Sequence, residues 1–177
     1  MFAFTTTDTV LRIDPEQGDV VASITITAPR GLAWTADQQH LIVGGKNELV
    51  FLNPDDLTIA SRIGDLADAQ IFYPSATPDG RWLLAPVVLD GVVLMIDAAT
   101  GEVAQRVETG SPLMVDADGS RAWVSNVLVP PEMLEPNAEP REGGVMLLDL
   151  ETFATTFIPD LIDANGIGVS TVSAWKD

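Results

Sequence analysis

The chain has 177 residues, 46% of them hydrophobic, enough for one domain with a sizeable core. Its 26 acidic residues against 9 basic ones give a net charge of −17, a surface that repels phosphate backbones and anionic headgroups and so argues against nucleic acid and membrane surfaces as partners. With no cysteine, disulfides, thiolate catalysis and cysteine-ligated metal centres are excluded.

The first residues, MFAFTTTDTVLRID, carry no basic leader and no long apolar run, so no signal peptide is expected. From there the chain reads as short β-rich stretches. Strands are expected over 2–5, 10–13, 20–25, 31–35, 40–43, 49–52, 59–63, 73–77, 82–85, 92–96, 103–107, 113–116, 121–125, 145–148, 154–158 and 166–170. Gly, Pro, Asp, Asn or Thr punctuates almost every break. The longest apolar run, 82–96, is interrupted by Pro86, Asp90 and Gly91 and is too short to cross a bilayer, so a soluble chain without membrane insertion is expected. DLADAQIF, at 65–72, is the one stretch that suits a helical turn.

Two markers repeat. An apolar strand ending in Asp or Asn recurs at Asp14, Asn53, Asp97 and Asp149, with separations of 39, 44 and 52 residues. WTAD, TPDG and DADG place Asp37, Asp79 and Asp118 at separations of 42 and 39. A period near 40 built from four strands is that of a propeller blade. If the strands of a blade are lettered A to D from the axis outward, the chain enters on a B strand and leaves on an A strand. Four blades closed by pairing 166–170 with the N-terminal strands is therefore the expected architecture, a single domain over 1–177. A partial propeller completed by oligomerisation, as in an eight-bladed ring shared by two chains, is the alternative. The long third interval comes from an insertion at 127–143, rich in Pro and Glu, between the B and C strands of one blade.

MIDAATGEV at 95–103, APRGLAWTAD at 28–37, SATPDGRWLL at 75–84 and WVSN at 123–126 together resemble the YVTN-type β-propeller repeat family. That resemblance spans nearly the whole chain and implies a propeller fold. Members include surface and periplasmic proteins, which implies an extracytoplasmic location. Proteins of similar architecture include sugar lactonases and the large subunits of amine dehydrogenases.

Individual residues give few chemical handles. His40 is the only histidine, so neither a zinc centre nor a Ser-His-Asp set assembles, and it is expected at the surface. The segment from Asp116 to Ser120 opens like a calcium loop but lacks the distant bidentate Glu, and falls where each repeat turns from A to B. Trp34, Trp82, Trp123 and Trp175 are expected to pack between blades. No metal and no cofactor is expected.

The remaining clue is positional. In a propeller the D–A and B–C loops emerge together around the axis. The repeats place Arg30, Phe72, Ser111 and Asn165 just before each A strand, with Lys46, Tyr73 and Asn126 as neighbours. An arginine and aromatics there suit an anionic or carbonyl ligand. The expected function is a non-catalytic binding or scaffold module, monomer or homodimer, taking a protein or small-molecule ligand at that loop face. The alternative is a lactonase-like hydrolase or the propeller subunit of an oxidoreductase.

Overall fold

The computed structural model describes residues 1–66, 70–127 and 143–158. Those residues form fifteen strands in four antiparallel sheets. The first sheet holds β1 (Phe2–Phe4), β2 (Thr9–Ile13) and β3 (Val20–Thr25). The second runs β4 (Gly31–Trp34), β5 (Leu41–Gly44), β6 (Leu49–Leu52) and β7 (Ile59–Ile63). The third runs β8 (Ser75–Ala76), β9 (Trp82–Val87), β10 (Val92–Asp97) and β11 (Val103–Glu108). The fourth runs β12 (Pro112–Ala117), β13 (Arg121–Asn126), β14 (Gly144–Asp149) and β15 (Thr155–Ile158). Every sheet is a simple meander, the unit of a propeller blade.

The blades follow one another in chain order: β1 lies against β4, β4 against β8, and β8 against β12. Between each neighbouring pair sits an apolar cluster. Val10 and Ile26 meet Leu41, Val43, Val50 and Leu52 between the first two blades. Ile42 and Leu49 meet Leu83, Ala85, Leu94 and Ile96 at the next junction, joined by Leu66 and Ile71 from the connecting segment. Trp82, Leu84 and Met95 meet Val115, Val124 and Leu148 at the third. The middle strands β5, β9 and β10 are buried on both faces, which is why they read as unbroken apolar runs. Strands β3, β7 and β11 lie outermost and are largely exposed, so polar residues interleave there.

The Asp and Asn markers close the C strand onto the D strand. Asp97 uses Oδ1 to accept the N–H groups of Ala99 and Thr100, at 2.9 and 3.0 Å, while its carbonyl accepts Gly101 N–H at 2.8 Å. Asp14 and Asp149 repeat the pattern. The turn needs a left-handed residue at its fifth position, supplied by Gly18 and Gly101 but by Leu57 and Phe153 in the other two blades, at φ 61° and 60°. A side chain in that conformation costs about 1–2 kcal/mol. Leu57 offsets the cost by burial in the first junction, and Phe153 by setting its ring edge-on to Trp82, centroids 6.2 Å apart.

Two sequence markers are placed differently from expectation. In the second and third blades the A–B hairpin is closed by Thr35 and Thr77, whose hydroxyls donate to Asp37 and Asp79 Oδ1 at 2.6 Å in both cases and accept the N–H of His40 and Trp82, each at 3.0 Å. In the fourth blade the hairpin is two residues tighter. There Asp118 takes the threonine's position: its N–H donates to Arg121 O, and its Oδ1 accepts Arg121 N–H at 3.1 Å. Asp118 is therefore the counterpart of Thr77, and the segment that opens like a calcium loop is a hairpin turn. The second difference is β8, which is confined to Ser75–Ala76. Tyr73, expected inside that strand, instead makes a parallel bridge to Met114 of the next blade.

The expected closing strand 166–170, Trp175 and nearly all of the 127–143 insertion lie outside the described residues, as does the middle of the 65–72 stretch. At its described ends that stretch is not helical: Asp65 has φ 56°, and Gln70 bridges Lys46. Among the described residues no helix is long and apolar enough to cross a membrane.

Candidate functional site

Antiparallel meanders place the A–B and C–D turns at one end of the blades and the B–C and D–A loops at the other. At the loop end, the turn from Gly44 to Leu49 is held between its neighbours. Lys46 N–H donates to Thr27 O at 3.2 Å, before the second blade, and Ile71 N–H donates to Gly45 O at 3.0 Å, before the third. Two glycines make this approach possible. A Cβ on Gly31 would stand 2.5 Å from Tyr73 Cα, and one on Gly44 would stand 2.8 Å from the Phe72 carbonyl oxygen. Backbones touch here.

Four of the seven expected site residues are consequently brought together. Arg30 N–H is fixed on Gly44 O at 2.9 Å, Phe72 N–H on Pro86 O at 2.9 Å, and Lys46 bridges Gln70. Tyr73, which leads into the third blade, meets each of the other three. Its backbone lies against Gly31 and bridges Met114, and its ring meets that of Phe4 at 6.2 Å with the planes 62° apart. The Arg30 side chain is half-buried, and its guanidinium donates to Pro29 O at 3.1 Å. The ion pairs among the described residues are Arg62–Glu48 and Arg106–Asp90, both distant in sequence from Arg30. Lys46 is exposed.

Ser111 and Asn126 are also brought together, but with each other. Asn126 Oδ1 accepts Ser111 N–H at 3.1 Å, Ser111 Oγ donates to Val127 O, and Val127 N–H returns to Ser111 O at 2.9 Å. Both are buried, and this clasp pins the start of β12 to the end of β13. Asn165 lies outside the described residues.

Sequence reasoning missed the other end of the same junction. Between the two Thr-x-Asp hairpins lies a cleft of about 470 Å³ floored by Phe51, Ala76, Leu83 and Ala98, with Asp37 and Asp79 at its rim. Beside it, on the other side of β4, a second cleft of about 420 Å³ is lined by Phe2, Leu32, Trp34 and Leu41. The signal was there in the repeated Thr-x-Asp, which reads as turn chemistry alone until the blades are set side by side. His40, half-buried at the foot of one hairpin, contributes its main-chain N–H to Thr35. Trp82 packs between blades as expected, with Arg81 stacked 4.7 Å above its ring, and Trp34 meets Phe2 of the first blade while remaining 43% exposed.

The titration of the carboxylates follows these contacts. The Thr35 hydroxyl, then Gln39 N–H, holds Asp37 below its ordinary 3.8, and Thr77 with Arg81 N–H does the same for Asp79. Thr58 and Thr152 act likewise on Asp56 and Asp149. Among the described residues Asp116 alone is raised, by burial on β12. Among the described residues no group of three or more His, Asp or Glu side chains is placed to hold a metal ion.

No family model matches the chain, and no curated protein matches it by sequence. Its structure resembles that of hydrazine synthase from Kuenenia stuttgartiensis, with a TM-score of 0.65 and 16% identity over 85% of this chain and 43% of that one. It also resembles the WD40 domain of Neurospora crassa Pan2, with a TM-score of 0.64 and 13% identity over 88% of this chain and 50% of that one. The chain thus spans about half the length of these structures or less. At such identities the likeness shows the fold alone: the chain is an all-β propeller built of meander blades.

Proposed function

We propose that this propeller is a non-catalytic binding module that takes the carboxylate or carbonyl group of a protein or small-molecule ligand on its loop face, against Arg30, Lys46, Phe72 and Tyr73. The observation that supports this reading is the state of Arg30. In a chain with 26 acidic residues and 9 basic ones, a half-buried arginine near the blade axis forms no ion pair among the described residues. A guanidinium offers five donors, and the Pro29 carbonyl engages only one of its nitrogens. The remaining donors, at the same loop end as Tyr73 and the exposed Lys46, suit a planar oxygen pair presented from outside.

The test is ligand-dependent melting with acidic peptides ending in a free carboxylate, with lactones and amines run alongside. Acidic peptides are expected to raise the Tm, and Arg30→Ala is expected to abolish the rise while leaving the Tm of the free protein nearly unchanged. A rise that survives Arg30→Ala removes this site, and turnover of a lactone replaces the binding module with a hydrolase.

A further inference from the structure

The two clefts at the opposite end of the blades are independent of Arg30. We propose that the cleft between the β4–β5 and β8–β9 hairpins, together with the Trp34 cleft beside it, docks a basic peptide segment: a Lys or Arg side chain enters between Asp37 and Asp79, and a flanking apolar residue rests on Trp34 and Phe2.

The geometry matches the two halves of such a side chain. The floor, Phe51, Ala76, Leu83 and Ala98, offers apolar surface for an alkyl stem, and the rim offers charge for the head. Each carboxylate is divided in use. Asp37 Oδ1 accepts the Thr35 hydroxyl and Gln39 N–H, and Asp79 Oδ1 accepts the Thr77 hydroxyl and Arg81 N–H. Both Oδ2 atoms make no hydrogen bond among the described residues. The turns thus orient each carboxylate with one oxygen and present the other. The same hydroxyls hold both groups below the ordinary aspartate value, so the rim stays charged in mildly acidic solution.

Among the described residues no lysine or arginine lines this cleft, although Arg81 stands near Asp79 on its far side, stacked on Trp82. The cationic neighbours of the rim, Arg81 at Asp79 and His40 at Asp37, thus stand outside the cleft lining. Trp34 adds the apolar anchor. It is exposed, its ring edge-on to Phe2 with centroids 5.7 Å apart, and it immediately precedes the acidic hairpin on the same strand. A rigid aromatic next to an acid-rimmed cleft is a good docking arrangement for an amphipathic cationic segment.

Diffuse attraction to so acidic a protein would also hold a basic peptide, so the experiment must separate the two. Fluorescence anisotropy would follow a labelled peptide carrying arginine flanked by leucines, with a citrulline-for-arginine version as control. In Asp37→Asn/Asp79→Asn the amide oxygen still serves the turn while the outward charge is removed. This variant is expected to weaken binding by about tenfold or more, and Trp34→Ala by a lesser factor. Equal neutralisation on the loop face, Asp65→Asn/Glu108→Gln, is expected to change binding about twofold at most. Arg30→Ala should have no effect, which keeps this result separate from that of the loop-face site. Equal losses in the two double variants, equal binding of the citrulline peptide, or no binding at all would each overturn the proposal. Melting curves of each variant establish that the fold is intact.

Discussion

The junction between the second and third blades is closed at one end and open at the other. At the loop end Gly31 and Gly44 let backbone meet backbone, with no side chain between Gly31 and Tyr73. At the turn end the same two sheets are held apart by hairpins whose side chains are committed to their own turns, and a cleft remains. The space between the two blades is set by different things at its two ends: by main-chain contact at one, and at the other by the apolar side chains that floor the cleft. Rigidity and openness are thus separated along a single interface, with Arg30 and Lys46 at the closed end and Asp37 and Asp79 at the open one.

The largest effect is expected where that contact is tightest. A methyl group at Gly31 has no room, because the nearest atoms are the Tyr73 Cα and N, at 2.5 and 2.9 Å, and main-chain atoms yield only by moving a blade. Gly31→Ala should destabilise the protein by about 3 kcal/mol, the upper range for overpacking, and lower the Tm by several degrees. At the open end, Gly80→Ala would bring the new methyl to 3.4 Å from the Ala36 Cβ, an ordinary contact, and its cost is the φ of 71° alone, about 1 kcal/mol. Equal losses in urea unfolding would show that the two ends are not different in the way described.

An intermediate effect separates the two Thr-x-Asp hairpins. Thr77 is fully buried, whereas Thr35 is half-buried. Replacing the Thr77 hydroxyl by a methyl in Thr77→Val leaves the buried Trp82 N–H without an acceptor, at a cost of about 1–3 kcal/mol. Thr35→Val leaves His40 N–H in the same position but within reach of water, and should cost about half as much. Asp79 also loses the largest cause of its lowered titration. A carboxylate with a depressed folded value stabilises the protein fully above its ordinary 3.8 and loses that contribution as the pH falls below it. Thr77→Val should therefore show a shallower loss of Tm than the parent below pH 3.8, and an unchanged slope would detach Thr77 from Asp79.

How much of this was legible follows from the kind of interaction involved. Strand positions, blade period and the C–D turn at Asp14, Asp97 and Asp149 are local, so alternation and turn residues report them directly. Arg30, Lys46, Phe72 and Tyr73 come together because the loop end of every blade is equivalent, which a repeat alignment captures. Ser111 and Asn126 stood in the same alignment yet close on each other, since their hydrogen bonds depend on the register of β12 against β13. The alignment also paired Asp118 with Asp79, because spacing alone does not reveal a hairpin shortened by two residues. The cleft was invisible for a related reason. Its floor mixes Phe51 and Ala76 from different blades, and each reads as core in its own strand.

The smallest expected effect comes from the inner strand of the fourth blade, where one carboxylate, Asp116, is shifted the opposite way. Asp116 lies partly buried on β12, and burial, before the neighbouring charge of Asp118, raises its titration above 3.8. Ala117 N–H, at 2.9 Å from Oδ1, offsets only part of that. A raised folded value in an acid means that the ionised group opposes folding, and that the opposition disappears as the pH falls through the raised value toward 3.8. Asp116→Asn keeps an oxygen for Ala117 and removes the charge. It should therefore stabilise the protein at neutral pH, by about 0.5 kcal/mol or less given the exposure that remains, and the gain should vanish as the pH approaches 3.8. Asp79→Asn should have the opposite sign at neutral pH, because it replaces a carboxylate that Thr77 and Arg81 hold ionised. If both variants shift the Tm in the same direction, the two hairpins do not use their acids differently, and position in the turn rather than burial governs them.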